Sequence, residues 1–361
     1  MEWPSHGGQP TQIKKLFTLS EQHPILDFSA NLNPLGPPEW VRDAWIDSFN
    51  QIVVYPDPSY LDARTSIAER EGLRPEQVVL TNGGAEAIFL TAKRVQGGKA
   101  LVIHPTFGEY EQACAHYGIH IERLYLNEAE QFAFPYEQVL EAISNVDVIF
   151  LCRPNNPTGT AVEENSLRDI MDLAVHSGVL VVIDEAFADF MISPNKELTT
   201  WLETYSNLVL LRSMTKMFTI PGVRLGYALT QELTASAMRA DQIPWSVNSA
   251  AAALVPILIR DTTFVKATKE WLIEQWTSLR SNLIALGYDV SSTCTNFYLL
   301  RDPQRIEQTQ ELYVFLLNNG LLARHTTTFP GLDGRYLRLA IRSSQENEQL
   351  LQLLSRWRVE S

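Results

Sequence analysis

The chain has 361 residues, 45% of them hydrophobic and 20% charged, the balance of a globular protein too long for one small core. Its 29 Lys+Arg against 42 Asp+Glu leave a formal net charge of −13, which excludes a broad basic face: no nucleic-acid or membrane partner is expected, and any cations that matter must be gathered locally. Cys114, Cys152 and Cys294 are odd in number and far apart, so neither a disulfide framework nor a metal site is expected.

Met1-Glu2-Trp3-Pro4 lacks the basic start and apolar run of a signal peptide. The most apolar stretch, Ala250 to Ile259, is interrupted by Pro256 and is too short to span a bilayer, so a cytoplasmic protein is expected. Residues 1–40 read as a loop-like arm packing on a small domain and on the active site. Between residues 78 and 230 short β-branched runs alternate with helix-length segments, the pattern of βα units feeding a largely parallel sheet. The runs are Val78 to Leu80, Ala100 to Ile103, Asp147 to Leu151, Val179 to Ile183 and Asn207 to Leu211, with weaker candidates at Ile119 to Leu126 and Arg224 to Leu229. Each of the five stronger runs is apolar on both faces, as a strand covered by helices on both sides should be. After about residue 245 the pattern changes to a long helix over Phe264 to Leu286, short strands near Asn296 to Leu299 and Tyr336 to Ile341, and a final helix over Gln345 to Arg356. The expected division is an arm over 1–40, a large domain over 41–245 and a small α+β domain over 246–361.

Four strand ends carry candidate chemistry. Asn82-Gly83-Gly84-Ala85-Glu86 follows the first run and opens an apolar helix, so its backbone N–H groups can meet a phosphate; glycines also occur at such turns for steric reasons alone. Arg153-Pro154-Asn155-Asn156-Pro157-Thr158-Gly159 sets asparagines between prolines, where an amide can be aimed at a ring oxygen or a carboxylate, or simply form a turn. Asp184 ends the most hydrophobic strand, at the crevice where α/β sheets bind ligands; an N-cap or a metal ligand beside Glu185 is the alternative. Ser213-Met214-Thr215-Lys216 follows the last strong run. A lysine there can be desolvated, which lowers its pKa and lets its amine condense with an aldehyde, and Arg224 can return to the same place with a planar fork for phosphate. A solvated surface lysine before a proline turn is the other reading.

Together these motifs resemble the fold type I pyridoxal-phosphate enzymes of the class I/II aminotransferase family, from about residue 24 to the C-terminus. The resemblance implies an α/β fold of the aspartate-aminotransferase kind, a large domain with a mainly parallel seven-stranded sheet plus a smaller α+β domain, with pyridoxal 5′-phosphate as cofactor and a homodimer as the active unit. It implies that Lys216 carries the cofactor, Asp184 partners its ring nitrogen and Asn156 its ring hydroxyl, while Gly84, Ala85, Ser213 and Arg224 bind its phosphate, with Glu86 counted beside them. Phe107 falls where the family stacks an aromatic ring on the cofactor, though a core phenylalanine is equally plain; Tyr55 falls where a tyrosine reaches across the dimer interface. One departure is Phe187, where many relatives have a tyrosine hydrogen-bonded to the cofactor.

Within the family, both ends of the chain resemble the threonine-phosphate decarboxylases of cobalamin biosynthesis, with histidinol-phosphate aminotransferases as near relatives. His6-Gly7-Gly8, Leu26 to Gly36, Pro244 to Asn248 and Phe329 to Arg338 carry that resemblance. It implies a small phosphorylated amino-acid substrate. Arg338 would hold the α-carboxylate, Arg324 with His6 and the Gly7 N–H the phosphate, and Asn31 and Asn156 would line the pocket. The implied reaction is a carboxy-lyase's decarboxylation of L-threonine O-3-phosphate, which Phe187 does not oppose. A histidinol-phosphate or related aminotransferase would use the same parts.

Overall fold

The computed structural model describes residues 3–192 and 198–360; Met1 and Glu2 of the expected arm lie outside them. All seven runs between residues 78 and 230 form strands of one sheet, in the order 78–81, 226–230, 208–213, 180–184, 148–152, 99–104, 120–125. Every pairing is parallel except those of Gly226–Thr230, which runs antiparallel between its two neighbours. The strands are buried on alternating faces, and the two faces feed two separate cores. Val79, Val102, Val148, Val182 and Val209 pack against Ile88, Tyr110 and Met238 of helices Gly83–Lys93, Glu109–His116 and Glu232–Asp241. Leu80, Leu101, Ile149, Val181 and Leu210 join Leu167, Ile170 and Met171 of helix Glu164–Ser177 on the opposite side. The edge strand His120–Tyr125 is largely exposed, but the central strands are covered on both faces, and the parallel strands all deliver their carboxyl ends to one end of the sheet.

The C-terminal part carries a four-stranded antiparallel sheet, ordered 324–325, 337–340, 297–301, 289–290, backed by helices Thr262–Ala285, Thr309–Asn318 and Ser344–Glu360. The long helix starts where Asp261 caps it, its carboxylate accepting from Phe264 N at 2.9 Å. The expected α/β architecture is therefore present, with the small sheet as the added element.

The N-terminal segment is more ordered than a loop. Pro10–Leu16 is a short helix, and Leu26–Asp27 pairs in parallel with Leu321–Leu322. Ala340 N donates to Phe28 O at 2.8 Å, and Asn33 N donates to Lys216 O at 3.2 Å, so this segment spans from the small sheet to the lysine loop. On these contacts we propose the three-part division at residues 40 and 245. No helix among the described residues is long and apolar enough to cross a membrane.

Candidate active site

Lys216 lies in the loop after strand Leu208–Ser213, at the carboxyl end of the parallel strands. Burial pushes its pKa down, and Arg224 and Arg338 push it further, against the opposing pull of Asp184 and Glu109. Among the described residues its amine has no hydrogen bond or ion pair. An amine kept dry, beside cations and without a partner is poised to be a neutral nucleophile.

Asp184 closes the neighbouring strand and is only 7% exposed. Its Oδ2 accepts from Tyr110 Oη at 2.7 Å and its Oδ1 from Ala186 N at 3.0 Å. Burial raises its pKa, while Tyr110, Ala186 and Lys216 favour the ionised form. The metal-ligand alternative finds no support at Glu185, whose carboxylate is held by Arg212 at 2.9 Å and Arg153 at 3.5 Å. Tyr110 was not singled out from the sequence. It stands on the first turn of helix Glu109–His116, wholly buried and stacked on Phe150 with ring centroids 5.3 Å apart. Phe187, the departure noted above, turns into an aromatic cluster, 4.9 Å from the Phe297 ring.

The Gly83 turn brings a helix start under the Arg224 guanidinium. Helix Gly83–Lys93 starts without a side-chain cap from Asn82, leaving its first N–H groups free for a ligand. Gly83 has φ +79°, and a Cβ there would stand 2.6 Å from Arg224 Nη2, so the guanidinium crosses directly over the helix start. Gly84 and Ala85 continue that turn, and Ser213 lies on the adjoining strand, opposite Gly226, its hydroxyl 3.0 Å from Thr215 Oγ1. Glu86 differs: its Oε2 accepts from Asn82 N at 2.6 Å, Gln242 Nε2 at 3.1 Å and Ser246 Oγ at 3.3 Å, so its side chain serves as a tie at the helix start. Gly83→Ala is expected to cost about 1–2 kcal/mol of stability from the left-handed backbone alone and to displace Arg224. Cofactor retained after dialysis should fall, whereas Gly84→Ala, whose added Cβ meets nothing within 4 Å, should retain it.

The two adjacent asparagines divide their work. Asn155 spends its amide inside the loop, donating to Pro105 O and Thr158 Oγ1, both at 2.9 Å, and accepting from Thr106 Oγ1 at 3.0 Å. Asn156 instead accepts from Arg338 Nη1 at 2.5 Å. Arg338 also donates to Ser29 O at 2.8 Å, and its Nε is buried without a partner. Burial and Arg324 push its pKa down to about 9, the condition of a cation shielded from water.

Arg324 and Arg338 are direct cross-strand partners in the small sheet, 4% and 6% exposed. Among the described residues neither has a carboxylate within ion-pair reach. Arg324 donates to Pro4 O at 2.9 Å and to Ser5 O and Thr328 Oγ1, each at 2.7 Å, which pins the N-terminal arm beside it. Trp3 completes the attachment, stacked on His325 at 3.7 Å and edge-on to Tyr313 at 5.1 Å. The His-Gly-Gly motif follows from that path: a Cβ on Gly7 would lie 2.1 Å from Ser29 O, and Gly8 N donates to Ser29 Oγ at 2.8 Å. His6 is thereby set 3.1 Å from Glu109 Oε1 and 6.4 Å from the Phe107 ring, and Asn31 is buried with its Oδ1 unpartnered. Tyr55 is the predicted residue that the chain does not bring in: it is 80% exposed, beside Trp245 at 4.8 Å.

A buried acid for a ring nitrogen, an unpaired lysine for an aldehyde and an arginine-crossed helix start for a phosphate fit pyridoxal 5′-phosphate. The comparisons agree with that geometry. The chain is 36% identical over 353 residues to threonine-phosphate decarboxylase of Salmonella typhimurium, covering 97% of this chain and 95% of that one. The crystal structure of histidinol-phosphate aminotransferase from Clostridium acetobutylicum is similar with TM-score 0.88 and 30% identity, over 93% of this chain and 100% of that one. The fold also matches histidinol-phosphate aminotransferase of Sinorhizobium meliloti, solved in complex with pyridoxal-5′-phosphate, with TM-score 0.85 and 18% identity, over 98% and 95% of the two chains. The model of the family described as aminotransferase class I and II matches residues 23–356. The chain is thus a pyridoxal-phosphate enzyme, and it belongs to the class I and II aminotransferases.

Proposed function

We propose that this enzyme decarboxylates L-threonine O-3-phosphate to (R)-1-amino-2-propanol O-2-phosphate, for the linker of the cobalamin nucleotide loop, acting as a cytoplasmic homodimer in which Tyr55 reaches the partner's site. The observation that carries the reading is the pairing of Arg324 with Arg338. Like charges directly opposite on neighbouring strands repel, and a buried charge without a counter-ion is costly, so the pair makes sense as a receptor for two anions. A phosphorylated amino acid brings both, and the similarity to a threonine-phosphate decarboxylase supports the same choice. The similarity to histidinol-phosphate aminotransferases keeps amino transfer as the second reading.

Pyridoxal phosphate supplies an electron sink conjugated to the substrate nitrogen. Lys216 would hold that cofactor, Asp184 would keep a proton at its ring nitrogen, and Asn156 would bond its ring oxygen. Arg338 would take the substrate carboxylate with its fork, and Arg324, His6 and the Gly7 N–H the phosphate, so that two anchored anions leave the substrate one orientation. The substrate amine would displace Lys216 from the cofactor and leave its proton on the freed lysine; the bond from Cα to the carboxylate would then break, carbon dioxide would leave, and Lys216 or a nearby acid would return a proton to the electron pair remaining at Cα.

Supplying L-threonine phosphate with no keto acid is expected to release carbon dioxide and aminopropanol phosphate in equal amounts. Amino exchange that requires 2-oxoglutarate, with no gas, contradicts the proposal. Arg324→Gln is expected to raise KM for threonine phosphate on the order of 10²-fold while hardly changing binding of threonine; equal losses would remove Arg324 from the phosphate site.

A further inference from the structure

Glu109 is a carboxylate placed where the proposed substrate should bring its own negative charge. It opens helix Glu109–His116, only 8% exposed, with Oε1 3.1 Å from His6 Nε2 and Oε2 buried without a hydrogen-bond partner. The charged groups facing it come from four elements: His6 of the arm, Arg324 of the small sheet, Asp184 at its strand end and Lys216 of the following loop. Its charge acts on both Lys216 and Arg324, which places it near the lysine and one of the paired arginines.

Resting on the reading of Arg324 and His6 as phosphate ligands, we propose that Glu109 is the resident counter-ion of the substrate-phosphate subsite and takes up a proton when a phosphate monoester binds, its acid form then donating to a phosphate oxygen. Without substrate the ionised carboxylate offsets a cationic pocket. A phosphate dianion takes over that task, and two anions sharing one pocket drive the weaker base's competitor out of the ionised state. Burial, aided by Asp184, already pushes Glu109 up to about 7, so the proton costs little near neutral pH. His6 is shifted the other way, lowered by burial and then by Arg324, Lys216 and Arg338, and so is neutral above pH 7 when no phosphate is present. The sign follows: above pH 7 Glu109 must gain a proton for phosphate to bind, and affinity falls as pH rises. The partnerless Oε2 is the oxygen left to carry that proton. Glu109 therefore selects for a ligand strong enough to displace its charge, which a phosphate dianion is and a neutral side chain is not.

The test uses the holoenzyme and isopropyl phosphate, a monoester with neither amine nor carboxylate, titrated calorimetrically in buffers of different ionisation heat. At pH 8, where the ligand is already a dianion because its second pKa is about 6, the expected uptake is about one proton per site, with Kd rising about tenfold per pH unit above pH 8. Glu109→Gln, whose amide imitates the protonated acid, should lose the uptake and flatten the pH dependence; His6→Gln should keep most of the uptake. Arg324→Gln should weaken the ligand at least about tenfold in every buffer. Arg324-dependent binding with no uptake, or with uptake that persists in Glu109→Gln, overturns this inference alone. Binding indifferent to Arg324 overturns the phosphate subsite and the inference with it.

Discussion

Lys216→Ala is expected to lower kcat by at least about 10³-fold and to abolish the absorbance band of the lysine-bound cofactor. The expectation rests on the absence of another candidate amine: the groups gathered around Lys216 are Arg224, Arg338, Asp184 and Glu109, of which none can condense with an aldehyde. Removing a desolvated amine that has no hydrogen-bond partner should leave thermal stability close to that of the parent, so the loss will not come from unfolding. Absorbance, borohydride reduction and a melting curve on the same sample check all three points. A reducible linkage that persists elsewhere on the chain would contradict the assignment.

Arg338→Gln is the second change with a large expected effect. The guanidinium ties Ser29 O and Asn156 Oδ1 together from the small sheet, and its Nε remains unpartnered. Truncating a buried charged partner costs about 2–5 kcal/mol, so kcat/KM for threonine phosphate should fall by roughly 10²-fold or more. Aminopropanol phosphate, which lacks the carboxylate, should bind nearly as before once Asn156 is held by the Gln. Arg338→Lys keeps the charge and loses the fork, and should recover only part of the loss. Inhibition constants for the product set beside kcat/KM for the substrate separate a carboxylate contact from a general disturbance; equal losses in both would place Arg338 in the scaffold.

Much of the fold was legible because the chain writes buried parallel strands as continuous apolar runs, such as Val179 to Ile183, and these need no partner information to be recognised. The motifs Asn82 to Glu86, Arg153 to Gly159, Asp184 and Ser213 to Arg224 are legible because each follows or ends such a run. What stayed hidden is long-range. Leu26–Asp27 pairs with Leu321–Leu322, and a two-residue strand has no periodicity to read. The opposition of Arg324 and Arg338 depends on the register set by the intervening loop. Tyr110 lies three residues after Phe107, but only the helix that begins at Glu109 aims its hydroxyl at Asp184. The sequence does not show that the Glu86 carboxylate is tied to Asn82, Gln242 and Ser246, partners that include two from far along the chain. The N-terminal arm read as loop because Pro10–Leu16 is short and carries two lysines in its last turn, and its order comes from Trp3, Pro4 and Ser5 docking on the small sheet.

The roles proposed for Lys216, Asp184 and Arg224 would serve a decarboxylase and an aminotransferase alike, so the decision between them lies in which bond at Cα breaks. Threonine phosphate carrying deuterium at Cα reads that choice directly. Decarboxylation leaves the Cα–D bond intact and adds one solvent proton, so the aminopropanol phosphate formed in ordinary water should retain the deuterium at its amine-bearing carbon. Deuterium appearing in the solvent at the rate of turnover, with the carboxylate kept, would contradict the account.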